Sequence, residues 1–265
     1  ERIARERDAA TAARAGAEQV STFLVDLFQV SDPGESRGNQ VTAREILDRG
    51  AERMTTQLAG QPVTRATMMD VIGRVYQNLG LYDPAGVLLD SALVLRRAEL
   101  GEEHPEVAAS LHAVGTRLAL LGDYDSARVV LGRALDMRRR LLAPNDTLLA
   151  ATLHALATLE SDAGNYDATE PLQREALAID RAAYGEEHVK VASGLINLGA
   201  DLRRKVDPTR DDLDLARAEA IVRTCLATAR DMVWAQWHER HDDREGSLHA
   251  DYAFSSSVCL NKFAS

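Results

Sequence analysis

Cysteine is scarce in this chain. The 265 residues hold two, Cys225 and Cys259, far apart and without metal-ligand spacing. They are too few for a disulfide scaffold and leave the redox compartment open. An apolar run of about eighteen residues is also missing, so no membrane span lies within the chain. Positive charge is outweighed: the formal net charge is −10 at pH 7, whereas nucleic-acid binders carry a basic surface. No secretory signal opens the chain, and a start at Glu1 rather than Met reads as an excerpt from a longer protein. What remains is 45% apolar, the content of a globular protein long enough to bury a real core.

What is present is repetition. "GLYDPAGVLLDSAL" (80–93), "GDYDSARVVLGRAL" (122–135) and "GNYDATEPLQREAL" (164–177) recur at a step of 42 residues. Gly80, Gly122 and Gly164 keep that step, as do Tyr82, Tyr124 and Tyr166, and Asp83, Asp125 and Asp167. So do Gly73, Gly115, Ala157 and Gly199, while "GEEH" occurs at 101–104 and two steps later at 185–188. A fixed period of this size belongs to helical arrays or to propellers. Propeller blades need four short alternating strands per unit, and this sequence has none of that patterning.

Each unit predicts two helices. Val107, Leu111, Val114, Leu118 and Leu121 recur at three and four residues, as do Ala127, Val130, Leu131, Ala134, Leu135 and Leu141. Gly122 between them suits a left-handed helix end. Asp83-Pro84 and His104-Pro105 read as N-caps followed by proline at the first helical position. Gly115 and Ala157 mark where the two helices approach closely and a larger side chain would wedge them apart. Neither helix covers its own apolar stripe, so units must stack on their neighbours.

The small residues at fixed positions and the glycine-x-tyrosine turn resemble tetratricopeptide repeats. In 107–141 the matching residues are Leu111, Val114, Gly115, Leu118, Gly122, Tyr124, Ala127, Leu131 and Ala134. The longer period is similar to that of the kinesin-light-chain variety. The resemblance covers roughly 65–230 and implies an all-α fold, a right-handed superhelical solenoid of antiparallel helix pairs. Departures from the pattern are Thr169 in place of alanine, and Pro105, which has no counterpart at Thr147 or Val189.

The ends differ. Residues 1–30 read as a leading helix, charged and then apolar, before the polar loop 31–40. Thr42 and Glu45 form a capping box, with Val41 set to meet Ile46 as a hydrophobic staple. We read 41–237 as the array: a degenerate first repeat at 41–59, clear repeats over about 65–205, and a last repeat with seven residues inserted in its turn. In that last repeat Cys225 holds a small-residue packing position, and Trp234 and Trp237 seal the open end. His238, His241 and His249 lack the zinc-protease spacing, and 241–265 reads as a disordered tail. Residues about 5–100 resemble the region that follows the kinase domain and membrane segment in certain bacterial serine/threonine kinases. That implies a sensor or docking arm; the chain itself has no glycine-rich phosphate loop, valine-alanine-x-lysine or histidine-arginine-aspartate motif. The sequence leaves the location open between cytoplasmic and, if a membrane segment precedes Glu1, extracytoplasmic.

Stacked pairs line a groove with their first helices. One ladder there is Asp70, His112, His154 and Ile196, and a second is Arg74, Thr116, Thr158 and Ala200. A third is Gln77, Ala119, Ser161 and Arg203. Light-chain-type repeats carry an asparagine pair in the first ladder and the next residue; here Asn197 alone keeps one, opposite Ala113 and Ala155. The partner-binding residues expected are therefore Asp70, Arg74, Gln77, His112, Thr116, His154, Thr158, Asn197 and Arg203. His112 and His154 read either as partly exposed groove residues with no dedicated task or, in the sharper reading, as partner contacts that make binding pH-sensitive, because imidazole titrates near neutrality. The function expected is non-catalytic: a scaffold that holds a peptide or protein segment, without nucleic acid, metal or cofactor. An enzyme would need convergent titratable groups with a nucleophile or metal, and the sequence shows no such constellation.

Overall fold

The computed structural model describes Thr22 and residues 42–186 and 188–205. The described residues form eight helices and no strand: α1 (Ala43–Gln57), α2 (Pro62–Asn78), α3 (Tyr82–Leu100), α4 (Pro105–Leu120), α5 (Tyr124–Leu141), α6 (Thr147–Asp162), α7 (Tyr166–Tyr184) and α8 (Val189–Lys205). The architecture is an all-α repeat solenoid. Contacts divide the chain after Ala183, so α8 belongs to a second unit. The leading helix 1–30 apart from Thr22, the loop 31–40, the inserted turn, the final helix to 237 and the tail 241–265 lie outside the described residues, as does the staple residue Val41.

In the first unit α2 pairs with α3, α4 with α5, and α6 with α7, and the three turns close alike. The amides of Leu81, Asp123 and Asn165 donate to the carbonyls of Tyr76, Leu118 and Glu160 at 2.9, 3.0 and 2.7 Å. This closure needs a left-handed residue just before it, and Gly80, Gly122 and Gly164 supply it with φ of 74°, 80° and 79°.

Helix starts follow a register that the sequence disguises. Asp123 caps α5 by accepting from the Ser126 amide at 3.2 Å. The equivalent position before α3 is Leu81, which has no cap bond. Helix α3 therefore begins at Tyr82, and Asp83-Pro84 lies inside its first turn rather than at the cap, where the missing proline N–H costs nothing. His104 does cap α4: its Nδ1 accepts from the Glu106 amide at 3.2 Å, ahead of Pro105. His188 repeats the bond to the Lys190 amide at 3.1 Å. The first GEEH loop is also tied to its neighbours, with Glu102 3.1 Å from Arg97 and Glu103 2.7 Å from Arg140. The capping box before α1 is formed: the Glu45 amide donates to Thr42 Oγ1 at 3.2 Å, and the Thr42 amide to Glu45 Oε2 at 3.0 Å.

The core passes from helix to helix. Leu47 and Met54 of α1 meet Met68 and Ile72 of α2 and Ala85 of α3. Leu89 and Leu93 of α3 meet Val107 and Leu111 of α4 and Met137 of α5. Leu131 and Leu135 of α5 meet Leu149 and Leu153 of α6 and Ile179 of α7. Leu121 and Leu141, counted in the sequence stripes, are exposed instead, because each sits where its helix ends and the stripe has left the neighbour behind. A Cβ on Gly115 would lie 2.7 Å from Leu131 Cγ, and one on Gly73 2.9 Å from Leu89 Cγ. In the third pair Ala157 stands in the glycine position, and the leucine facing it is replaced by buried Gln173.

Candidate protein-binding face

The first helices of successive pairs touch in turn, α2 with α4 and α4 with α6. They form a continuous row, and seven of the nine candidate residues fall on it: Asp70, Arg74 and Gln77 on α2, His112 and Thr116 on α4, His154 and Thr158 on α6. Asn197 is exposed on α8 in the second unit. Arg203 also belongs to α8, and its side chain lies outside the described residues.

Most of the seven are bound to their own protein. Asp70 is buried, 7% exposed, and its Oδ2 receives Arg74 Nε at 3.0 Å. Its Oδ1 lies 3.7 Å from a guanidinium nitrogen of Arg96 in α3. The Thr116 and Thr158 hydroxyls donate to the carbonyls of His112 and His154, at 2.8 and 2.9 Å. His154 Nε2 is 2.8 Å from Asp180 Oδ2, and its Nδ1 is 2.9 Å from Gln173 Oε1; both partners belong to α7. Oε1 of Gln77 is enclosed and accepts no hydrogen bond from the described residues. Half-exposed Arg74 and exposed Thr158 present the most open polar surface of the row.

His112 departs from expectation. Only part of its ring reaches solvent. Burial first, then the positive charges of Arg138 and Arg74, holds the imidazole down at about 3. It stays neutral from pH 5.5 to 8 and cannot supply the pH sensitivity expected of it, because a proton there would be an enclosed charge beside two cations.

The residues missed from the sequence are those of the second helices that face the ladder: Arg96, Gln173 and Asp180, which bond to it, and Arg138, which acts on His112 through its charge, all 2–3% exposed. Arg96, Arg138 and Asp180 are spaced by the repeat step of 42. A charged residue recurring four places beyond the buried alanines 92, 134 and 176 was the available signal, since a helix turns that position toward the same neighbour.

The tetratricopeptide repeat family model matches residues 64–140 and 148–208. Among solved structures, BtubC (BKLC) from P. vanneervenii is 19% identical with a TM-score of 0.64, over 92% of this chain and 89% of that one. A putative kinesin light chain from Podosopora anserina with nearly identical TPR-like repeats is 17% identical with a TM-score of 0.56, over 84% of this chain and 95% of that one. A point variant of that Podosopora protein is 18% identical with a TM-score of 0.54, over 78% and 93%. At these identities the likeness is one of fold. No curated protein matches the chain.

Proposed function

The chain belongs to the tetratricopeptide repeat family, and from that premise we propose that the row formed by α2, α4 and α6 binds an extended segment of another protein. Tetratricopeptide repeats are in general protein–protein interaction modules, and the fold is typically non-catalytic. The observation that carries the finer reading is that most of the polar side chains along the row are already fixed from within. Arg74 is held by Asp70, Thr116 and Thr158 by their own helices, and His154 by two residues of α7. A surface whose rotamers are set before binding loses little entropy when it captures a flexible ligand. In the setting implied by the resemblance of residues about 5–100, the same row would be the docking arm of a membrane-linked serine/threonine kinase.

The test is a pull-down from a lysate of the cells that produce the protein, with the full chain as bait and Thr158→Arg and Val129→Arg as variants. Thr158 is exposed on the row, and Val129 is 63% exposed on α5, a second helix. Partners that Thr158→Arg loses and Val129→Arg keeps support the row. The opposite pattern, with melting unchanged in both, would sink it.

A further inference from the structure

The register shared by Arg96, Arg138 and Asp180 faces the ladder Asp70, His112 and His154, and two of the three pairs are matched, the first by charge and the third by a hydrogen bond. In the first, Arg96 stands 3.7 Å from Asp70 Oδ1 and 2.8 Å from Glu106 Oε2. In the third, Asp180 meets His154 at 2.8 Å. The middle pair has no such match. Arg138 is 3% exposed, and no carboxylate of the described residues lies within ion-pair distance of it.

Comparison of the two arginines shows what differs. Arg96 donates to the Glu106 carbonyl at 3.4 Å and to Ser110 Oγ at 2.7 Å. Arg138 makes the same two bonds one step later, to the Leu148 carbonyl at 2.7 Å and to Thr152 Oγ1. The neutral partners are reproduced and the charged ones are not. Leu148 stands in the place of Glu106, and His112 in the place of Asp70. Asp146 acts on Arg138 only through its field, being committed to the cap of α6, where it accepts from the Leu148 amide at 2.8 Å. Arg74 adds a second positive charge nearby, and the one carboxylate adjoining it, Asp70, is already shared between Arg74 and Arg96. Nδ1 of His112 is enclosed without a hydrogen-bond partner among the described residues, and Nε is so enclosed in Arg138 and in Arg96 alike, so the two arginines differ in their carboxylates and not in that nitrogen. A buried cation without a counter-charge is costly.

We infer that the carboxylate missing from the middle pair is supplied from outside, by an aspartate or glutamate side chain of the segment docked on the first-helix row, received by Arg74 and Arg138 beside His112. The inference rests on the docking function proposed above and names its partner as acidic. A carboxylate rather than a phosphate is indicated because the neighbouring pair fills the same place with Asp70 and Glu106. Its approach is over the edge of His112 and along half-exposed Arg74, the two members of the trio that reach solvent.

The experiment titrates the full chain, ¹⁵N-labelled, with oligoglutamate capped at both ends. The controls are capped oligoglutamine, a free C-terminal carboxylate on a neutral peptide, and inorganic phosphate. Arginine Nε–H resonances are followed, and affinity is read by fluorescence anisotropy. Oligoglutamate is expected to shift the Arg138 and Arg74 resonances saturably where oligoglutamine does not. His112→Asp restores the acid that Asp70 supplies one step earlier; it should raise Tm and weaken oligoglutamate binding at least about tenfold. Arg74→Gln, which removes one of the two receiving cations, should weaken it as well. Three results overturn the inference: no shift at Arg138, an equal or larger response to phosphate or to the free C-terminus, or undiminished binding with lowered Tm in His112→Asp. If oligoglutamate fails while Thr158→Arg still abolishes partner capture, the docking row stands and the acidic partner falls. If Thr158→Arg has no effect on capture, the docking row itself falls.

Discussion

At the scale of single residues, His112 shows how a surface position becomes a structural one. Its imidazole is depressed to about 3, by burial and then by Arg138 and Arg74. In the unfolded chain it titrates near 6.5. Between those two values the unfolded chain binds a proton that the folded chain refuses, so acidification through this window favours unfolding. Stability should therefore fall as pH drops from about 6.5 toward 3, with a contribution of up to about 1.4 kcal/mol per pH unit from this group. His112→Gln removes the contribution, and its stability in urea should decline less steeply than that of the wild-type protein between about pH 6 and pH 4.5. Parallel slopes would mean that the ring is not enclosed. Glu160 works at lower pH: its bonds from Arg128 first, then from Asn165, hold its carboxyl below the usual range. That contribution is whole above the unfolded carboxyl's value of about 4.5 and is lost below it, so it leaves the interval from about pH 6 to pH 4.5 largely clear.

At the scale of helices, the close approach of α4 to α5 is the most specific constraint. A Cβ at Gly115 would sit 2.7 and 3.0 Å from Cγ and Cδ2 of Leu131 and 3.2 Å from its backbone nitrogen. The side chain could shift, but the backbone contact would persist. Gly115→Ala should therefore destabilise by about 1–3 kcal/mol, although alanine favours a helix over glycine by about 1 kcal/mol. Gly115→Leu should cost more. An unchanged Tm for Gly115→Ala would refute the packing. The capping box before α1 is exposed, and Thr42→Ala should cost about 1 kcal/mol, read as faster amide exchange in the first turn of α1. Much at this scale was legible in the sequence: three- and four-residue spacing gave the helices, and the step of 42 gave their pairing. The start of α3 was not, because Leu81 occupies a capping place that Asp123 fills in the next pair, and Asp83 two residues on mimics a cap. Nor was the grip on the ladder legible. Helical spacing puts Asp70, His112 and His154 on one face, but cannot tell whether that face meets solvent or the buried ends of Arg96, Arg138 and Asp180.

At the scale of the whole molecule, the packing is a chain of neighbours. The buried clusters each join three consecutive helices, and the contacts run from α2 to α3 to α4 to α5 to α6, with the first helices also touching in turn. Such an array has no single centre, and its stability is approximately a sum of pair terms and interface terms. Within the first unit, α4 and α5 have α3 on one side and α6 on the other, whereas α1 packs on α2. A helix with partners on both sides opens only when both interfaces are lost, so amide exchange in α4 and α5 should be slow and should respond together to a break at their shared interface, with α1 responding least. Gly115→Leu sharpens the test, because its clash acts on one pair. In a neighbour-coupled array it should speed exchange in α4, α5 and the facing turns of α3 and α6 by a large factor, and in α1 by a small one. A single cooperative core would transmit the loss evenly, and equal acceleration in α1 and α5 would show that the helices unfold as one body rather than pair by pair.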